Sequence, residues 1–188
     1  AATLRYSEQF SINPGTAGAP GYYSFRSNSC FDTNLTGTGH QPRGYDQLAA
    51  LYQYCSVREC QVELFFTTSD GAPVIVSISA DANPDTFTNA PNQLKMMESR
   101  TAVFGQCGGI SGGKTPGKLT MRIKPWQLAG TTLKETDYKH GVATNPVISQ
   151  FLNIRACPHD VSDVGPVNCQ IRLTFQVVFS EPQAPGAS

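Results

Sequence analysis

Neither sign of charge dominates this chain of 188 residues: Lys and Arg number 14, Asp and Glu number 14, and the formal net charge is zero. That balance excludes a protein that grips nucleic acid through bulk positive charge, and an acidic disordered chain. Long apolar runs are absent, so no membrane-spanning helix is expected. A basic stretch leading into an apolar segment is also missing, so no secretory leader is expected. The chain opens at Ala1 rather than Met, as a processed or truncated product would. Histidine is scarce, and His40, His140 and His159 stand apart, with no His-x-x-x-His or Cys-x-x-Cys pair to give zinc its ligand spacing. No cofactor is implied.

The composition that remains, with 17 Gly, 13 Pro and 10% aromatics, describes a loop-rich β protein long enough to bury a core as one domain. Strict alternation is the strongest signal. Cys169, Ile171, Leu173, Phe175, Val177 and Phe179 share one face of a strand, and Gln170, Arg172, Thr174 and Gln176 share the other. Cys60, Val62, Leu64 and Phe66 alternate with Gln61, Glu63 and Phe65. Val74, Val76, Ile78 and Ala80 repeat the pattern after Asp70-Gly71-Ala72-Pro73. Leu119, Met121 and Ile123 face in while Lys118, Thr120, Arg122 and Lys124 face out. A strand over 147–157 would turn Ile148, Leu152, Ile154 and Ala156 inward, and weaker candidates cover 3–12, 21–29 and 99–106.

One helix interrupts the strands. Leu48, Leu51, Tyr52 and Cys55 form an apolar stripe at helical spacing, predicting a helix from Gly44 to Tyr54 just after Pro42. A further helical turn is expected near 92–98, and a flexible tail over 181–188. Eight strands without βαβ alternation, joined by unequal loops, predict an all-β Greek-key sandwich, an eight-stranded jelly roll of two antiparallel sheets over 1–180.

Six cysteines permit fifteen pairings, and only Cys157 and Cys169 flank a Gly/Pro loop that a local disulfide would close. A domain of this size does not need a disulfide framework, so reduced thiols are the expectation.

Two catalytic patterns fall within 105–117 and both lack their context. Gly108 to Thr115 fits the phosphate-binding G-x-x-x-x-G-K-[ST], but Pro116-Gly117 and an alternating strand follow where a helix is required. Gly109-Ile-Ser111-Gly-Gly113 fits a nucleophile elbow, again without the helix or the α/β sheet. No enzyme is expected. Asp81 and Asp85 are candidate carboxylate ligands for calcium in a loop; the alternative is a turn held by Asx-type hydrogen bonds. Asn34-Leu35-Thr36 fits a glycosylation acceptor.

Residues 24–65 carry a more specific pattern. They read Ser-Phe-Arg-Ser-Asn-Ser-Cys-Phe-Asp, then His40-Gln41-Pro42-Arg43-Gly44-Tyr45-Asp46-Gln47, then Leu51-Tyr52-Gln53-Tyr54, then Val62-Glu63-Leu64-Phe65. This stretch resembles the signature region of capsid proteins from circular, replication-initiator-encoding single-stranded DNA viruses, the circovirus-like coat proteins. The resemblance covers about 45 residues of the chain. It implies a jelly roll with a short helix in the loop between its second and third strands, and a self-assembling, sixty-subunit, T=1 icosahedral shell around circular single-stranded DNA. It also implies a virion protein that assembles in the host nucleus, meets a host receptor and needs no membrane. His40, Gln41, Pro42, Gly44, Tyr45, Asp46, Gln47, Tyr52 and Tyr54 would then pack the motif, with Tyr45, Leu48, Leu51 and Tyr52 pinning the helix to the sandwich. Loops 13–20, 70–72, 108–116 and 158–166 would gather near fivefold axes, and the long loops 30–55, 81–98 and 125–146 would make the other contacts.

One departure stands out: coat proteins of that kind begin with an Arg/Lys-rich arm, whereas residues 1–20 hold only Arg5. DNA contacts would fall to the outward row Lys118, Arg122, Lys124 and Arg172; a plain solvated strand face is the alternative. Two further readings stay open, a disulfide-bonded surface β-sandwich that binds carbohydrate or protein, and the shell domain of a small RNA-virus coat protein.

Overall fold

The computed structural model describes residues 1–14, 19–69, 72–85, 98, 101–108, 116–128, 138–159 and 164–184. Within them the alternating segments pair into two sheets. The strands are β1 (Ala2–Ile12), β2 (Gly21–Arg26), β3 (Tyr52–Thr68), β4 (Val74–Asp81), β5 (Val103–Cys107), β6 (Gly117–Ile123), β7 (His140–Gly141), β8 (Phe151–Pro158) and β9 (Val167–Pro182). The helices are α1 (Tyr45–Ala49) and the single turn α2 (Pro125–Leu128).

The first sheet runs β1-β9-β3-β6, with β7 added beside β3; the second runs β2-β8-β4-β5. Apart from β4 to β5, and setting the short β7 aside, each connection carries the chain from one sheet to the other. That winding, with every pair antiparallel, is the jelly roll that the alternation predicts. Core residues come from the inward positions of both sheets: Tyr6, Val62, Leu64, Leu173 and Phe175 meet Phe25, Val76, Ile78, Leu152 and Ile154. Each of these large side chains, removed from water, stabilises the sandwich by about 1.5–3 kcal/mol.

Register places the ends of eight strands together. Ile12 pairs with Val167, Thr68 with Val167, Val74 with Pro158 and Cys107, Gly21 with Ala156, and Phe66 with Gly117. Two backbone bonds tie this end, Ser69 N–H to the Pro166 carbonyl and His159 N–H to the Pro73 carbonyl. The β5–β6, β1–β2, β3–β4 and β8–β9 connections therefore share one end of the sandwich, although 15–18, 70–71, 109–115 and 160–163 lie outside the described residues. At this end Gly117 opens β6 because a Cβ there would meet the Phe66 ring at 2.3 Å.

Several boundaries differ from expectation. Helix α1 stops at Ala49, and Tyr52 and Tyr54 belong to β3, because Tyr52 pairs with Pro182 and Tyr54 with Ser180. The apolar stripe through Leu51 is thus not a helix face, and Leu51 is 60% exposed. Strand β9 continues through Glu181 and Pro182, past the expected start of the tail, and Gln183 N–H donates to the Leu51 carbonyl. Strand β8 starts at Phe151, leaving Ile148 exposed rather than inward. The turn expected near 92–98 lies outside the described residues except for Glu98, as does the tail from 185 onward.

Candidate functional site

Three places in the sandwich gather the residues that chemistry or resemblance singled out. The first is the signature segment. Gly44, with φ 88°, sits in the left-handed region that favours glycine and turns the chain into α1. Tyr45 is buried, and its hydroxyl donates to the Val142 carbonyl at 2.7 Å while lying 3.5 Å from Cys55 Sγ. Burial and that thiol raise the Tyr45 phenol well above its ordinary value. Tyr45 and Tyr52 both pack on Phe179 of β9, and Lys139 Nζ stands 4.5 Å over the Tyr54 ring. Gln41 donates to the Phe31 carbonyl at 3.0 Å, Pro42 is buried and accepts from Tyr45 N–H, and His40 stacks on Tyr6 with centroids 4.6 Å apart. Asp46 and Gln47 do not share this role: both point from the exposed side of α1. His140, buried in β7, has its ring nitrogens 3.7–3.8 Å from Cys55 Sγ, and desolvation holds its pKa below the ordinary histidine value.

The second place corrects the calcium reading. Asp81 and Asp85 do come together, but on Arg155 of β8. Arg155 donates to Asp85 through Nε (2.5 Å) and Nη2 (2.9 Å), to Asp81 through Nη2 (3.2 Å), and to Ser79 Oγ through Nη1 (2.5 Å). Asn153 donates to Asp81 at 3.0 Å and accepts from the Asp85 N–H at 3.1 Å. A guanidinium already occupies the place a cation would take, and no cluster of three acidic, His or Cys side chains suited to a metal occurs among the described residues. The acids were legible in the sequence; their partner, 70 residues away, was missed. A lone Arg inside the otherwise apolar strand Ile154–Cys157 was the available signal. The glycosylation acceptor also fails, since Asn34 is buried and bonded to the Tyr23 hydroxyl and to Thr36.

The third place is the outer face of the first sheet. Register lays its residues in rows across β1, β9, β3 and β6: Gln9, Gln170, Phe65 and Lys118; then Ser7, Arg172, Glu63 and Thr120; then Arg5, Thr174, Gln61 and Arg122. Lys118, Arg122 and Arg172 therefore share one surface. Each is paired: Lys118 with Glu63 at 3.2 Å, Arg122 with Glu59 at 2.6 Å, and Arg172 Nε with Glu63 at 2.6 Å. The Arg172 guanidinium and the Lys118 ammonium hold the Glu63 carboxyl below its usual range. Arg5, Lys118, Arg122 and Arg172 against Glu59 and Glu63 leave this face with a surplus of two positive charges on a chain of net zero. Lys124 stands apart, half-buried just past β6, where it borders a cleft with Ala80, Thr101, Met121 and Leu128.

No disulfide forms. Cys169 faces the core, where burial pushes its thiol up to about 12, whereas Cys157 is buried on the other face of β8 from the core residues Ile154 and Ala156. The Cys157–Cys169 bridge is thus ruled out by the sheet between them. Most of the glycine-rich segment, Ser111 included, lies outside the described residues, but the chain enters β6 at Gly117 without a helix.

Comparison with known proteins agrees with this architecture. No family model and no curated protein matches the chain. Among solved structures it is similar to a chain of Israeli acute paralysis virus in a full particle heated to 63 degrees, with TM-score 0.51 and 10% identity over 97% of this chain and 76% of that one. It is also similar to a chain of a semi-empty virus-like particle of Macrobrachium rosenbergii nodavirus, the giant freshwater prawn virus, with TM-score 0.51 and 9% identity over 99% of this chain and 98% of that one. At such identities the common ground is the fold, a jelly roll found in both virus particles.

Proposed function

We propose that this chain is a viral coat protein, a virion subunit that self-assembles into a closed icosahedral shell of sixty copies around circular single-stranded DNA. The observation that carries the reading is the jelly-roll winding, with four connections gathered at one end and the signature segment packed between β3, β7 and β9. A sandwich with all four short connections at one end suits the crowding around a symmetry axis, and repeated copies of one contact supply the association energy. DNA as the cargo, sixty as the copy number and the nucleus as the place of assembly are supported by the resemblance of residues 24–65. The positive surplus on the outer face of the first sheet supports that face as the one turned to the genome.

A shell domain from an RNA-virus coat protein fits the fold equally, but its calcium argument loses Asp81 and Asp85 to Arg155. The disulfide-bonded surface module loses its support with the six buried cysteines unbridged. Negative-stain electron microscopy of the purified chain, with nuclease-protected nucleic acid typed on the same sample, tests the proposal. Uniform closed shells protecting DNA are expected; a chain that stays monomeric at high salt and high concentration overturns it. Reversing Lys118, Arg122 and Arg172 to Glu is expected to lower protected DNA while shells still form; unchanged content overturns the genome-facing assignment.

A further inference from the structure

The first row of that outer face differs from the others. Phe65 is 43% exposed within a row that crosses four strands, where a solvated face ordinarily carries polar side chains. On its β9 side lies a depression of about 340 Å³, bordered by Ser7, Gln9, Gln170 and Arg172, at the small end of the range of ligand clefts. A second hollow of about 210 Å³ continues past Phe65 along Asn168 and Thr67. Glu8 also borders the larger one, but its carboxylate accepts from the Tyr6 hydroxyl and from Asn34. Gln9 and Gln170 stand directly opposite each other in register, next to Phe65, and among the described residues neither amide has a hydrogen-bond partner. On the other side of the ring Lys118 Nζ lies 5.0 Å from the centroid.

An exposed ring, two adjacent unengaged amides and flanking cations together suit an unpaired base joined to phosphate. A base has a π-face for Phe65 and edges that both donate and accept, which a carboxamide answers with its own donor and acceptor. An apolar partner would leave the amides unsatisfied, and an acidic peptide would leave the ring unused. We infer that Phe65 is a stacking platform for one base of a single-stranded nucleic acid, with Gln9 and Gln170 at the base edge and Lys118 and Arg172 on the neighbouring phosphates. The assignment rests on the genome-facing reading of this sheet and adds the base to it.

The test uses the full chain and fluorescent 12-residue oligonucleotides, one of deoxyadenylate, one of adenylate and one abasic, titrated over a range of salt. Phe65→Ala is expected to weaken both base-bearing probes about tenfold, leave the abasic probe unchanged and leave the salt slope unchanged. Phe65→Trp is expected to retain binding. Lys118→Gln and Arg172→Gln are expected to weaken all three probes and each to lower the salt slope by about one. Loss of the abasic probe in step with the others under Phe65→Ala, or no loss at all, overturns the stacking role. A change in shell formation with binding intact also overturns it, because Phe65 is then a contact between copies. Lys118 and Arg172 variants without effect on any probe overturn the genome-facing reading itself, so the two failures are distinct.

Discussion

The outer faces of the two sheets both carry arginine–carboxylate systems that cross strands, and they differ in burial rather than in chemistry. On the second sheet Arg155 and Asp85 are each only 5% exposed, and every guanidinium nitrogen meets an acceptor. On the first sheet Arg172 and Arg122 are 51% and 69% exposed and each leans on a glutamate. Desolvation makes the first arrangement obligatory, since a lone buried ion of either sign is costly. Water makes the second exchangeable, since an exposed pair is held weakly and a phosphate oxygen can replace the glutamate. The closed cluster fixes residues 81–85 to the sheet; the open one leaves cations available to a partner.

The largest break in this comparison is expected at Arg155. Arg155→Ala strands Asp85 in the interior, and a loss of about 3–5 kcal/mol in unfolding free energy should appear as a lower denaturant midpoint. Replacing Arg155 with Met and Asp85 with Leu together is expected to recover most of that loss, because no buried ion is left unpaired and Asp81, 34% exposed, keeps its bonds from Asn153 and Ser79. Tyr45→Phe removes one donor from the half-buried Val142 carbonyl and should cost about 1 kcal/mol, read by the same titration. His140 extends the closed category to a titratable group. Its folded pKa lies below the ordinary value, so the unfolded chain binds more protons once the pH falls below about 6.5. Stability is therefore complete above that pH and declines as acid carries the solution down through the folded pKa. Thermal melts between pH 7.5 and pH 5 should show this slope in the parent and a flatter one in His140→Gln. The smallest effect on stability belongs to the open face. Glu63→Gln should leave the melt unchanged yet release Lys118 and Arg172, strengthening oligonucleotide binding and steepening its salt dependence.

The sequence made the strands legible because each is half-buried in an antiparallel sheet, so its two faces differ in every second residue. Phe65 was visible on the wet side of β3 for the same reason. What stayed hidden depends on pairing across distance. Tyr52 and Tyr54 are drawn out of a helical pattern by Pro182 and Ser180, more than a hundred residues downstream. Asp81 and Asp85 look like metal ligands until Arg155 is brought beside them. The Cys157–Cys169 pair looks adjacent along the chain, but alternation turns one thiol to the core and the other away from it.

Strand β9 lies between β1 and β3 in the first sheet, although 154 residues separate its first residue from the last of β1. During synthesis the ribosome releases β1 and β3 long before the strand that joins them. Both must wait with bare edges, β1 offering Leu4, Tyr6 and Phe10 and β3 offering Val62, Leu64 and Phe66. At translation speeds of about 5–20 residues per second that interval lasts about 8–30 seconds for β1, long enough for nascent chains on one message to pair with each other. Completion of the sandwich is consequently a late event, and the yield of native subunits should depend on how quickly residues 167–182 emerge.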